Sequence, residues 1–296
     1  MEPEAHGQPI GIVSGGGSLP RIVAEGARAK GWRPVMVLLA DARPADWTGF
    51  DGRSFPWGRA GDAIDHLKRS GVRHVVFAGT VSQRPDFRAL IPSFRTLIRL
   101  PDALRIVRGG DDRLLRTLGR YLERQGFQML AVQDIVPALI APEGVLGGVS
   151  PDPMQARALR VADEAARMLG SLDIGQAVVA SPERVVAVEA VEGTREMLQR
   201  VADLRARKRL HRSERCVLVK TVKPQQDLRF DLPSIGAATI AEAAAAGIGA
   251  IGLTAGRSLI LGIDEVVAAA DAAAIALVGL PDRAVTGPAE DGASGR

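Results

Sequence analysis

Residues Ile10-Gly-Ile-Val-Ser14 form a short apolar run that passes directly into Gly15-Gly16-Gly17-Ser18-Leu19-Pro20 and then into a helical pattern over 21–30. Strand, glycine loop and helix in that order open a βαβ unit, and the rest of the N-terminal half repeats its logic. Apolar runs at 34–40 and 73–79 are separated by a helical stretch at 62–70 that closes on Gly71, and a helix over 112–125 leads through Gly126 to a fourth run at 128–132. Apolar strands alternating with helices predict a parallel sheet covered on both faces, with right-handed crossovers. The spacing therefore predicts a Rossmann-like domain over residues 9–140.

Around 141–153 the composition shifts to proline and glycine, as in a linker, and a helix is expected over 154–169. Runs at 177–180 and 184–188 are spaced as a hairpin; a helix over 194–204, a strand over 216–222, a helix over 239–246 and apolar runs to Leu280 follow. Strands and helices without strict alternation predict an α+β second domain over 141–280, and the polar, small residues of 281–296 read as a frayed tail. The fold class is thus α/β, Rossmann-like at the N-terminus, with an α+β C-terminal domain.

Of 296 residues, 46% are hydrophobic and 24% charged, a globular composition. Aromatic residues make up 4% of the chain and the net charge is +4, so there is little material for base stacking and no electrostatic footprint for nucleic acid. One cysteine and four histidines exclude a disulfide framework and turn any metal toward oxygen ligands. Residues 1–9 lack the pattern of a signal peptide, and the most apolar stretch, 237–255, is interrupted by Glu242, so a cytoplasmic protein is expected.

The glycine loop would present the backbone amides of Gly16 and Gly17, with Ser18, to a phosphate at a helix N-terminus, or it is simply a tight βα turn. As a dinucleotide fingerprint it is incomplete because Pro20 holds the third glycine position, although Asp41 stands where a ribose-binding acid would. The literal match Gly247-Ile-Gly-Ala-Ile-Gly252 follows a helix and precedes a strand, the reverse of a pyrophosphate turn, and suits close packing instead. Asp111 reads as a helix N-cap, with a metal or substrate role as its alternative, and Thr194 similarly as a cap or a ligand contact at a strand end. Residues 205–215 hold six Lys or Arg, either a solvated helix end or a surface for an anionic partner such as lipid headgroups.

The segment from Lys220 to Gly236 is the most informative. If extended, alternation puts Asp227, Arg229 and Asp231 on one face and Leu228, Phe230 and Leu232 on the other. The two carboxylates would then lie roughly 13 Å apart. Unless the chain bends before Pro233, only one of them can hold a given metal ion, and the other pairs with Arg229.

At this point the chain resembles the UDP-2,3-diacylglucosamine pyrophosphatases of lipid A biosynthesis, the type unrelated to calcineurin-like metallophosphoesterases. The resemblance is carried by the glycine loop at 11–20, by Phe77-Ala-Gly-Thr-Val-Ser-Gln-Arg-Pro-Asp-Phe87, Gly110-Asp-Asp-Arg-Leu-Leu115, Leu172-Asp-Ile-Gly-Gln176, Val188-Glu-Ala-Val-Glu-Gly-Thr194, Lys223-Pro224 and Arg229-Phe-Asp-Leu-Pro233. It implies hydrolysis of UDP-2,3-diacylglucosamine to UMP and lipid X (2,3-diacylglucosamine 1-phosphate), assisted by Mg²⁺, with the ligand between two domains. It further implies that Asp231 is the catalytic carboxylate and the metal ligand, and that the glycine loop, Thr80, Gln176 and Thr194 contact substrate. A homodimer is the expected assembly, with an association at the inner face of the inner membrane. Splitting a phosphoanhydride independently asks for cations on nonbridging oxygens, and Lys223 and Arg229 are the nearest candidates. Two other classes remain open: an NAD(P)-dependent oxidoreductase, from the Rossmann-like half and Asp41, and a non-catalytic nucleotide-binding regulator.

Overall fold

The computed structural model describes residues 1–39, 47–56, 59–80, 111–211 and 213–283, leaving aside the side chains of 111–115. The chain divides into two compact units, Met1–Leu139 with Asp227–Asp231, and Ile140–Gln226 with Leu232–Arg296.

The first unit follows the expected alternation. Its described elements are β1 (Pro9–Ser14), α1 (Leu19–Ala29), β2 (Arg33–Leu38), β3 (Asp51–Ser54), α2 (Ala60–Arg69), β4 (His74–Ala78), α3 (Asp111–Arg124), β5 (Gln128–Leu130) and α4 (Val132–Ile135). The strands form a parallel sheet in the order β3-β2-β1-β4-β5. The chain walks outward from β1 to β3 and then returns across β1 to β4, so the point of reversal lies between β1 and β4. Val13, Val35, Val37, Val75 and Phe77 face one apolar layer with Ile64 and Leu67 of α2 and Tyr121 and Leu122 of α3. Four strands were legible from their apolar runs. The fifth, β3, was not: it reads Asp-Gly-Arg-Ser, every residue is exposed, and it lies at the sheet edge, where no apolar pattern is required.

The second unit contains β6 (Gly144–Leu146), α5 (Pro153–Ser171), β7 (Ala177–Ala180), β8 (Val185–Val188), α6 (Thr194–Ala206), β9 (Cys216–Lys220), β10 (Ser234–Ile235), α7 (Ala237–Ala245), β11 (Ile248–Thr254), β12 (Leu259–Ile260), α8 (Ile263–Ala272) and β13 (Ala276–Leu280). Its main sheet has the order β6-β13-β11-β9-β7-β8. Strands β9, β11 and β13 run parallel; β6, β7 and β8 each pair antiparallel. The stretch that reads as a linker therefore carries an edge strand, β6, paired with β13. Helix α5 is capped by Asp152, whose carboxylate accepts the Gln155 N–H at 2.8 Å while the Gln155 side chain accepts the Asp152 N–H. Its Ala158, Leu159, Ala162 and Ala166 cover one face of the sheet, over Val178, Val217, Val219 and Ala250. Met197, Leu198 and Val201 of α6 are buried with Ile240 of α7, Val266 of α8 and Leu218 and Ile251 of the sheet. Gly252 serves close packing, as its motif suggested: a Cβ there would stand 3.0 Å from Leu159 Cδ2. Arg167 near the end of α5 holds the carbonyls of Pro281 and Arg283, and residues 284–296 lie outside the described ones. Among the described residues no helix is long and apolar enough to cross a membrane.

Candidate functional site

In the first unit the glycine loop closes on the loop after β4. The Gly15 N–H donates to Ala78 O at 2.8 Å, the Gly16 N–H to Thr80 O at 2.7 Å, and the Thr80 N–H back to Gly16 O at 3.0 Å. Glycine is needed on both sides of this closure, since a Cβ on Gly15 would lie 2.4 Å from Thr80 O and one on Gly79 2.5 Å from Gly16 O. The loops meet outside the carboxyl ends of β1 and β4, at the reversal of strand order where open α/β sheets take their ligands. One expectation changes. The Gly16 amide is committed to Thr80 and is not available to a phosphate. The exposed Gly17 and Ser18 remain: their N–H groups have no partner among the described residues, and the Ser18 side chain makes no cap bond to α1. Thr80 is exposed beside them. Asp111 opens α3, but its side chain lies outside the described atoms, as does Asp41.

The segment 227–231 is not extended, which overturns the alternation expected for it. The Asp227 carbonyl accepts the N–H groups of Phe230 at 3.0 Å and Asp231 at 3.4 Å, a single helical turn. The cause is local: the Asp227 carboxylate also accepts the Arg229 N–H at 3.1 Å, the i to i+2 bond by which aspartate starts a turn. Three anchors then fix the turn within the first unit. The Gln133 side chain donates to Leu228 O at 3.2 Å. The Phe230 ring packs edge-on to Phe77 at 5.6 Å. It also fills the space left by Gly119 on α3. Phe77 lies three residues before Thr80, so the anchor of the turn and the glycine loop both stand at the β4 end of the sheet.

Arg229 grips Asp227 with Nε and Nη2 at 3.0 and 2.8 Å, and its Nη1 donates to Glu123 at 2.7 Å. These bonds hold the Asp227 carboxyl below its ordinary range, against a smaller opposing effect of burial, and raise the Arg229 pKa. The expected pairing of Arg229 with one carboxylate is thus present. Its charge already faces two carboxylates, so a phosphate contact there would have to share the guanidinium. Asp231 is half-buried at the end of the turn. Among the described residues no group of three or more His, Cys, Asp or Glu side chains converges to form a metal cage. Mg²⁺ commonly takes one or two carboxylates and completes its shell with substrate phosphates and water, so a single carboxylate at Asp231 fits an ion carried in by a diphosphate.

In the second unit, Gln176, Thr194 and Lys223 stand at one end of the strands of the main sheet, just before β7, after β8 and after β9. What joins the first two is a residue the sequence reading did not single out, Glu189. It is 6% exposed, and its two carboxylate oxygens accept the Gln176 N–H at 3.0 Å and the Thr194 hydroxyl at 2.6 Å. The available signal was a carboxylate placed directly after an apolar strand, inside the stretch quoted for its Thr194. Thr194 is the first helical residue rather than the cap, which is Gly193 at φ 90°, so its hydroxyl turns to Glu189. The Thr221 N–H donates to Gln176 O at 2.9 Å, tying the end of β9 to the start of β7. The Lys223 ammonium sits 2.7 Å from Asp173, on the turn that follows α5. Within the basic run at 205–215, Arg205 is structural: it donates to the carbonyls of Ala246, Gly247, His211 and Glu214, whereas Arg207, Lys208 and Arg209 are exposed.

A Rossmann-like sheet with a glycine closure at its strand reversal, followed by a mixed α/β unit with a buried carboxylate at the end of its strands β7 and β8, defines a two-unit α/β protein. Two family models match consecutive stretches of it, one described as the LpxI N-terminal domain over residues 9–139 and the other as the LpxI C-terminal domain over 142–278. The curated UDP-2,3-diacylglucosamine pyrophosphatase LpxI of Caulobacter vibrioides is 39% identical over 277 residues, which cover 92% of this chain and 97% of that protein. The chain belongs to the LpxI family.

Proposed function

We propose that this chain hydrolyses the pyrophosphate of UDP-2,3-diacylglucosamine to lipid X and UMP in lipid A biosynthesis. The observation that carries this reading is identity to the Caulobacter vibrioides pyrophosphatase that runs through both domains. In this reading a water attacks one phosphorus, the bridging P–O bond breaks, and the phosphate of the departing group takes the electron pair. Asp231 orients that water and accepts its proton. The Gly17 and Ser18 amides at the start of α1 donate to nonbridging oxygens, and Lys223 and Arg229 offer further donors from within their ion pairs. Gln176 and Thr194, oriented through Glu189, hold the sugar end. When bound, Mg²⁺ supplies neutralisation of the diphosphate charge, with Asp231 as its protein ligand. A cytoplasmic homodimer working at the inner face of the inner membrane is the assembly this reading expects.

The test is incubation of the purified protein with UDP-2,3-diacylglucosamine in oxygen-18 water, with and without EDTA, followed by weighing of both products. UMP and lipid X, one of them heavier by the label, are expected, with turnover lost in EDTA. Asp231→Ala should abolish turnover and retain nucleotide binding. An alanine variant that runs at the wild-type rate removes Asp231 from the mechanism.

A further inference from the structure

The exposed apolar side chains of the second unit include a group gathered at one place. Met168 is 56% exposed, Leu172 69%, Ile174 41% and Val191 fully exposed. Met168 and Leu172 lie four residues apart, one helical turn, at the end of α5. Ile174 and Val191 are on loops that run side by side: the Gln176 N–H bonds to the Glu189 carboxylate, and Gly175 approaches the Glu189 carbonyl so closely that a Cβ would stand 2.0 Å from it. Turn tips ordinarily take polar residues or glycine. Here two neighbouring turns present Leu, Ile and Val.

These side chains are held outward by the backbone. Asp173 takes a left-handed conformation at φ 59°, the Ile174 N–H returns to Leu169 O at 3.1 Å, Lys223 clasps Asp173 at 2.7 Å, and Gln225 donates to Gly170 O at 3.0 Å. On the other side Arg200 bonds Val188 O at 2.7 Å and lies 3.0 Å from Glu192. The patch is thus bordered by two ion pairs, Lys223 with Asp173 and Arg200 with Glu192, each of zero net charge.

We propose that Met168, Leu172, Ile174 and Val191 are the membrane-facing tip of this unit and insert into the hydrocarbon boundary of a phospholipid bilayer. The inference rests on the lipid substrate proposed above. The loops that carry the patch also carry Gln176, lie against Glu189 and are clasped by Lys223, so the apolar tip adjoins the residues assigned to the headgroup. A diacyl substrate brings its tails to that same place. A second copy of the chain is a poorer occupant, because four side chains fall well short of the ~20–30 residues a side of a stable interface. The neutral border makes the attachment one of apolar burial rather than of charge, which separates it from binding by a basic surface.

The full chain is mixed with vesicles of phosphatidylethanolamine and phosphatidylglycerol and sedimented, alongside the variant carrying Leu172→Ser and Val191→Ser. The substituted positions are exposed, so the melting temperature should not change. Binding of the wild type should persist from ~50 mM to ~500 mM salt. The variant should lose about tenfold in partitioning for each side chain removed. Turnover of substrate held in vesicles should fall in parallel, while a short-chain, water-soluble UDP-2,3-diacylglucosamine is hydrolysed at the wild-type rate. Equal vesicle binding by variant and wild type overturns the proposal, as does wild-type binding that disappears with salt. A variant that shifts from dimer to monomer with vesicle binding unchanged also overturns it. Salt-resistant, patch-dependent binding in a protein that releases no UMP supports the surface while removing the enzymatic reading.

Discussion

Gly119→Ala tests whether α3 positions Asp231. The new methyl would lie 2.2 Å from Phe230 Cζ and 2.9 and 3.0 Å from the adjacent ring carbons. Carbon atoms rest at about 3.5–4.0 Å, so the ring tip must retreat by more than ~1 Å. Phe77 stands against that ring, and the next residue along the chain is Asp231. Alanine gains about 1 kcal/mol over glycine inside a helix, and overpacking costs about 1–3 kcal/mol, so the net loss is at most ~2 kcal/mol. For a unit of this size that lowers the melting temperature by no more than ~8 °C. Displacement of Asp231 by about an ångström should nonetheless reduce kcat by up to about a hundredfold. Thermal melts and steady-state UMP release measure the two effects separately. Adding Phe230→Leu removes the ring that the methyl strikes, and the double variant should be more active than the product of the single effects predicts. Wild-type kcat in Gly119→Ala, or strict additivity in the double variant, refutes the coupling of α3 to Asp231 through Phe230.

Glu189→Ala leaves the Gln176 N–H and the Thr194 hydroxyl without their buried acceptor and should lower the melting temperature by about 5–15 °C at ~1–3 kcal/mol for each orphaned group. Glu189→Gln, which keeps one carbonyl oxygen, should recover more than half of that loss; equal melting temperatures for the two variants would sink the bridging role. Because Arg229 depresses the Asp227 pKa, the ionised pair stabilises the fold above the ordinary carboxyl value near 3.8 and that stability is lost as pH falls through the lower folded value. Denaturant titrations of wild type and Arg229→Gln should therefore converge as pH drops below 4, and curves that stay parallel would count against the pair. Gly15→Ala should disrupt the glycine closure, seen as weaker UMP binding in calorimetry with the second unit's melt unchanged; unaltered UMP affinity would show that the closure is not part of the nucleotide site.

The parts of the fold that the sequence made legible are those whose burial demands an apolar signature. Strands β1, β2 and β4 lie within a parallel sheet covered on both faces, and their runs of Val, Ile and Leu follow from that. Strands β3 and β6 sit at sheet edges, where half the burial is absent; β3 reads Asp-Gly-Arg-Ser, and β6 is a three-residue Gly-Val-Leu inside a stretch of proline and glycine. The site shows the same division. Glycine was expected in the loop after β1, but which amide remained available depended on Thr80, sixty-odd residues away, and no local pattern encodes that pairing.

The turn at 227–231 shows why proximity along the chain misleads at such a site. Lys223 and Arg229 are six residues apart and looked like one pair of phosphate cations, yet Lys223 packs with Asp173 in the second unit and Arg229 with Glu123 in the first. Residues 227–231 pack with the first unit through an aromatic ring, Phe230 on Phe77, and through the ion pair of Arg229 with Glu123. Both devices are short-range in space and long-range in sequence, and alternation of apolar and charged residues cannot distinguish them from a strand. An aspartate that starts its own turn was the one local signal. It also separates the two carboxylates: Asp227 is spent on building the turn, and Asp231 stands at its end.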